Sequence, residues 1–137
     1  MKRFVFIIAG LLLLSSCDKV YINGDLDGMW RLVEVSSPDS TVYPHQIFYS
    51  YQRHLAQLGK HYDEGFPKRF LGNLYYDGNV LTMSGFYNFP YESKAATLEM
   101  LEEYYIYNDS AVFSILKLDQ EILIMKNEER TYTLRKW

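Results

Sequence analysis

Asp77-Gly78-Asn79 separates two runs, Lys68 to Tyr76 and Asn79 to Phe86, in which bulky apolar and polar residues alternate. Turns of this composition join hairpin strands, because Asp, Gly and Asn accept the positive φ angles that match strand twist. Whether the turn residues are Asp77-Gly78 or Gly78-Asn79, Phe70, Leu74, Tyr76, Leu81 and Met83 gather on one face and Asn73, Thr82 and Ser84 on the other. The hairpin therefore belongs to a sheet with one dry and one wet side. Thirteen tyrosines, eight phenylalanines and only four prolines suit pleated, half-buried surfaces, so the expected fold is all-β. No repeat of 20 to 50 residues points to a solenoid or propeller.

The remaining elements follow from similar patterns. Met29 to Val35 reads as a first strand, closed by Ser36-Ser37-Pro38-Asp39-Ser40. Gln46 to Leu58 reads as one longer extended segment, although Tyr51, Leu55 and Leu58 also match a helical spacing. Thr97 to Glu103 predicts a helix of about two turns, with Thr97 as cap, Glu99 in the positive first turn, and Leu98 and Leu101 on one side. Val112 to Leu118, Glu121 to Lys126 and Arg130 to Lys136 read as three closing strands. A loop at Asn127-Glu128-Glu129 would set Ile122 and Ile124 opposite Leu134 and Tyr132.

The N-terminus has a different character. Lys2 and Arg3 precede the apolar run Phe4 to Leu14, followed by Ser15, Ser16 and the single cysteine, Cys17. A membrane-spanning helix needs roughly 20 apolar residues, so this run is short for one and suits a secretory signal peptide. Leu14-Ser15-Ser16-Cys17 resembles the bacterial lipobox. That resemblance implies removal of residues 1–16 and acylation of Cys17, which several acyl chains would hold in a membrane. Residues 17–25 then form a lipidated tether and residues 26–137 a single domain. The formal net charge of −3 becomes −5 without the leader, because Lys2 and Arg3 leave with it. An acidic balance disfavours nucleic acid as a partner. With one cysteine, no intrachain disulfide can form.

Leu26-Asp27-Gly28-Met29-Trp30 places a Gly-x-Trp at the entry of the first strand of an antiparallel meander whose one short helix precedes the last strands. In this the chain resembles a lipocalin-like domain, and in particular the small lipocalin-like lipoproteins of Gram-negative gut anaerobes. The resemblance implies a small β-barrel with Trp30 plugging one end and an arginine of the last strand packed over it. Arg135 is the natural candidate, yet it shares a face with Thr131 and Thr133, opposite Tyr132 and Leu134. The resemblance also implies residence in the cell envelope. Asp18-Lys19-Val20-Tyr21 holds one acidic residue where surface-exported lipoproteins carry several, so the expected place is the outer membrane, facing the periplasm.

Catalytic signatures are sparse. The three histidines, His45, His54 and His61, form no close pair, and His61-Tyr62-Asp63-Glu64 reads as a solvated loop. No zinc signature, nucleophile elbow or phosphate-binding glycine loop occurs. No catalytic residue, metal or cofactor is therefore expected, and the chain is read as a protein other than an enzyme. The aromatic surplus, including Tyr49, Tyr51, Tyr75, Tyr76, Tyr87, Phe89 and Tyr91, can line a cavity, form a stacking platform, or simply fill the core.

The expected function is binding of a small apolar or amphipathic ligand, or of an envelope component, without transforming it. In that reading Trp30 closes one end; Leu32, Phe48, Phe70, Leu74, Met83, Phe113, Ile115, Ile124 and Leu134 line the interior; Tyr76 and Tyr132 supply polar handles. The rival expectation is a filled barrel that docks an envelope protein or glycan through outer aromatics. An open, apolar interior separates the first from the second.

Overall fold

Alternating burial builds nearly every element of the fold. The computed structural model describes residues 22–61, 69–89 and 94–137. The leader, Cys17, most of the tether, Tyr62-Asp63-Glu64 and Tyr91 lie outside these residues. A 3-10 turn (Gly24–Leu26) leads into β1 (Gly28–Ser36), then β2 (Thr41–Val42), β3 (Ile47–Gln52), β4 (Leu55–Lys60), β5 (Arg69–Tyr76) and β6 (Val80–Phe89). Helix α1 (Leu98–Glu102) precedes β7 (Ser110–Leu118), β8 (Ile122–Asn127) and β9 (Arg130–Lys136). All neighbours pair antiparallel; apart from β2, which sits on the outer side of β1, they follow chain order, and β1 also pairs with β9. Eight strands therefore close into a barrel, which removes the open edges a flat sheet would expose. The two-residue β2 is an addition at the far end of β1, through Val35–Val42 and Ser36–Thr41.

The central hairpin has the faces expected. Tyr76 pairs with Leu81 and Leu74 with Met83 on the inner side, while Asn73–Ser84 and Tyr75–Thr82 are outer pairs. Gly78-Asn79 forms the tip, and the Asp77 carboxylate accepts from the backbone N–H groups of Asn79 (2.9 Å) and Val80 (2.8 Å). A bulge follows where Gly72 faces the ring of Phe86: a Cβ on Gly72 would lie 2.7 Å from that ring, so only glycine leaves room for it. The helix starts where Thr97 predicts, its hydroxyl accepting from the Met100 N–H at 3.3 Å. Of its two leucines Leu101 is buried and Leu98 exposed.

Three expectations need correction. Gln46 to Leu58 is a hairpin, β3 and β4, with Gln52 paired to Leu55 around Arg53-His54. Arg53 adopts a φ of 54° there, a conformation that Gly or Asn normally signals, so the turn carries no compositional mark. The last hairpin has a two-residue tip, Glu128-Glu129, because Asn127 pairs with Arg130 and Glu128 takes the positive φ. That single-residue change puts Leu123 opposite Leu134 and Met125 opposite Tyr132, and it sends Ile122 and Ile124 to the outer face. Phe48 is buried but outward, since its strand neighbours Ile47 and Tyr49 belong to the interior cluster; the edges of His61 and Trp137 cover it at 4.6 and 5.1 Å.

Candidate functional site

Both ends of the barrel are closed, each by a different device. At one end Trp30 is fully buried and its indole N–H donates to the Leu26 carbonyl at 2.8 Å, tying the plug to the 3-10 turn before it. The cation over the indole is Lys136, 4.5 Å from the ring, and not Arg135. The pairing explains the choice: Trp30 faces Lys136 across β1–β9, whereas Arg135 faces Arg31 on the outer side. The Lys136 ammonium also donates to the carbonyls of Asp25, at 3.1 Å, and Asp27. Burial lowers its pKa, against the opposing pull of Asp25 and Asp27. Gly28 completes the motif, because its φ is +128° and a Cβ there would sit 2.8 Å from the Lys136 side chain. The Gly-x-Trp spacing thus leaves a passage for the lysine stem to cross the plug.

At the other end the chain from α1 to Ile106 folds inward. Leu101, Tyr104 and Ile106 are buried in the barrel core, with Tyr104 edge-on to Phe70 at 5.3 Å. Two barrel tyrosines hold this cap by its backbone: Tyr49 donates its hydroxyl to the Tyr104 carbonyl at 2.5 Å, and Tyr132 to the Tyr105 carbonyl at 2.6 Å. Burial raises both phenol pKa values, so the hydroxyls stay protonated donors.

Between the two closures the interior is occupied by the protein's own side chains. Trp30, Tyr49, Tyr51, Tyr104, Tyr132 and Phe113 are each less than 2% exposed. Leu32, Phe70, Leu74, Met83, Phe113 and Leu134 all lie inside, as expected, and pack with one another in a single cluster that Tyr76 and Ile115 join from its margin. Phe48 and Ile124 do not belong to it. Tyr132 is no free handle, since its hydroxyl is committed to the cap. The one buried side-chain polar atom without a hydrogen-bond partner among the described residues is the Tyr51 hydroxyl. Among the described residues no group of three or more His, Cys, Asp or Glu could hold a metal ion.

Among the described residues, open space lies on the outer wall instead. A groove of about 710 Å³ runs over β1, β3, β4 and β5. Its floor is one row of outward side chains, Met29, Ser50, Gln57 and Leu71, set side by side by the pairing of the four strands. Leu55, Gln52 and Arg53 flank it at the plug end and Arg69 at the other. Neither arginine was singled out from the sequence. Arg53 could be found only by reading a hairpin at Arg53-His54, and Arg69 only by knowing which strands lie beside β4.

Residues 12–137 match the model of a lipocalin-like domain family. The chain belongs to the lipocalin-like domain family. Two solved structures share its fold. A lipocalin-like protein from Bacteroides uniformis is 19% identical, with a TM-score of 0.67 over 83% of this chain and all of that one. An uncharacterized protein from Bacteroides eggerthii is 18% identical, with a TM-score of 0.65 over 82% of this chain and 99% of that one. No curated protein matches the chain. The lipocalin-like barrel is thus established from its family and its geometry together, with its interior packed and a groove outside.

Proposed function

We infer that this lipocalin-like chain is a lipoprotein of the cell envelope, anchored by acylated Cys17 in the outer membrane and facing the periplasm, that binds a small amphipathic molecule without transforming it. One observation moves the site from the interior to the wall: the interior is filled and capped, whereas the groove combines a floor of two apolar and two polar side chains with polar and cationic flanks. Pockets for small molecules have that mixed character. The groove, unlike the barrel axis, can be entered without displacing Tyr104 or Trp30.

The experiment has two arms on the full chain, expressed in a Gram-negative host and purified in neutral detergent. Labelled palmitate should enter the wild type and be absent from Cys17→Ser; equal labelling of both would overturn the anchor. Native mass spectrometry should find an amphiphile on the wild type and none on Gln57→Trp, whose indole fills the groove floor from outside. A retained ligand would overturn the groove as the site.

A second reading, protein or glycan docking, is favoured by the filled interior, the feature expected of a docking barrel, and by the outer row Tyr75, Thr82 and Val112 on β5–β7, where Tyr75 and Val112 are 65% and 50% exposed. Capture of an envelope partner that Tyr75→Ser with Val112→Ser abolishes would favour it over the groove.

A further inference from the structure

We propose that the groove holds the headgroup of an anionic phospholipid drawn from the membrane to which the chain is tethered, with Arg53 and Arg69 on the phosphate side and Met29, Leu55 and Leu71 against the glycerol and upper acyl carbons. This deepens the reading above and rests on it.

Charge is the first ground. The chain as a whole is acidic, yet the groove carries two exposed guanidinium groups, and among the described residues neither forms an ion pair. The groove's one carboxylate, Asp27, is turned away from such a role. It is 7% exposed, and its oxygens accept from the Asn23 side-chain amide at 2.8 Å and the Asn23 N–H at 3.3 Å. Guanidinium groups bind phosphate oxygens through paired, charge-assisted hydrogen bonds. Arg69 lies four residues along the strand from the level of Leu55, about 13 Å at the usual rise, so the two cations bracket the floor.

Chain length is the second. The Asn23 side chain donates to the Arg53 carbonyl at 2.8 Å, which pins the start of the domain to the tip of the β3–β4 hairpin. Cys17 is six residues before Asn23, a span of at most about 22 Å when fully extended. An acylated Cys17 thus keeps the Arg53 end of the groove close to the headgroup layer, where the local concentration of phospholipid is high.

The test places the full chain, methyl-labelled, in phosphatidylcholine nanodiscs and adds short-chain phosphatidylglycerol while NMR follows the methyl groups of Met29, Leu55 and Leu71. Saturable shifts are expected at these methyls and none at Leu134 inside the barrel. Arg53→Gln combined with Arg69→Gln should weaken the apparent affinity at least about tenfold, while Arg53→Lys combined with Arg69→Lys should recover part of the loss. Equal shifts with short-chain phosphatidylcholine, an unaltered affinity in the glutamine variant, or no shift at all would overturn the proposal. Saturation by inorganic phosphate alone would overturn the lipid as occupant in favour of a soluble anion. Palmitate labelling separates the two readings: a lipidated chain whose groove ignores phosphatidylglycerol sinks this proposal alone, and an unlipidated one sinks the anchor beneath it.

Discussion

The two ends of the barrel solve the same problem with unlike means. At the plug end the strands turn tightly, at Arg53-His54, Gly78-Asn79 and Asp119 to Glu121, and the closure comes from Trp30 of the first strand, Lys136 of the last, and Leu26 in the turn before them. At the cap end most connections are long, and closure is delegated to an inserted helix and the turn after it, held by two tyrosine hydroxyls. The plug end ties the last strand to the start of the domain, Lys136 reaching the Asp25 and Asp27 carbonyls from 111 and 109 residues away, whereas the cap end is held by contacts 27 and 55 residues apart. Loop closure over such separations costs entropy, so the cap must recover it through burial of Leu101, Tyr104 and Ile106. The difference implies that the plug carries global stability and the cap carries local, separable stability.

Trp30→Ala probes the first half of that statement and should have the largest effect. Losing a fully buried indole with its hydrogen bond and cation contact should cost about 3–5 kcal/mol, read as a lower urea midpoint. A cost under about 1 kcal/mol would mean that Trp30 is no keystone. Next comes the strand register beside the cap. Leu123→Ala should cost about 2–5 kcal/mol as an interior cavity, whereas Ile124→Ala on the outer face should cost about 1 kcal/mol or less. Reversal of that order would restore the three-residue loop.

The cap is tested by Tyr49→Phe together with Tyr132→Phe. Each substitution should cost about 1–2 kcal/mol, and faster hydrogen exchange should be confined to the segment around the Ile106 amide, which donates to the Leu101 carbonyl at 3.1 Å. Uniformly faster exchange through all strands would show that the cap is not separable. The smallest effect lies in the tight turns of the plug end. Backbone N–H groups lower the pKa values of Asp77 and Asp119, so each carboxylate stabilises the fold above its unfolded pKa and loses that contribution as pH falls through the folded one. The stability gap between wild type and Asp77→Ala with Asp119→Ala should therefore shrink on acidification below the ordinary carboxylate range. A gap that stays constant with pH would remove these hydrogen bonds from the ledger.

What could be read from sequence divides by how local the signal is, and not by barrel end. Gly28-Met29-Trp30, Asp77-Gly78-Asn79 and Thr97 each encode their structure within a few residues, and strand, turn and helix start lie where those residues place them. The misplaced features depend on something non-local or unmarked. Arg53 and Glu128 take positive φ without being Gly or Asn, so neither hairpin tip announces itself, and one residue of slip at Glu128 suffices to turn Ile124 outward. Lys136 could have been preferred to Arg135, because the face argument already set Arg135 opposite Tyr132 and Leu134. The groove was invisible for a different reason: its floor takes one residue from each of four strands, and no window of sequence contains them together.

Packing of the interior by the protein's own rings is the claim from which the outer site follows. A crystal structure of the chain grown with short-chain phosphatidylglycerol tests it most directly. The expected result is continuous packing of Tyr49, Tyr104 and Tyr132 with the lipid lying over Met29 and Leu71. A lipid chain threaded among those three rings, with Tyr104 swung out of the barrel, would contradict it.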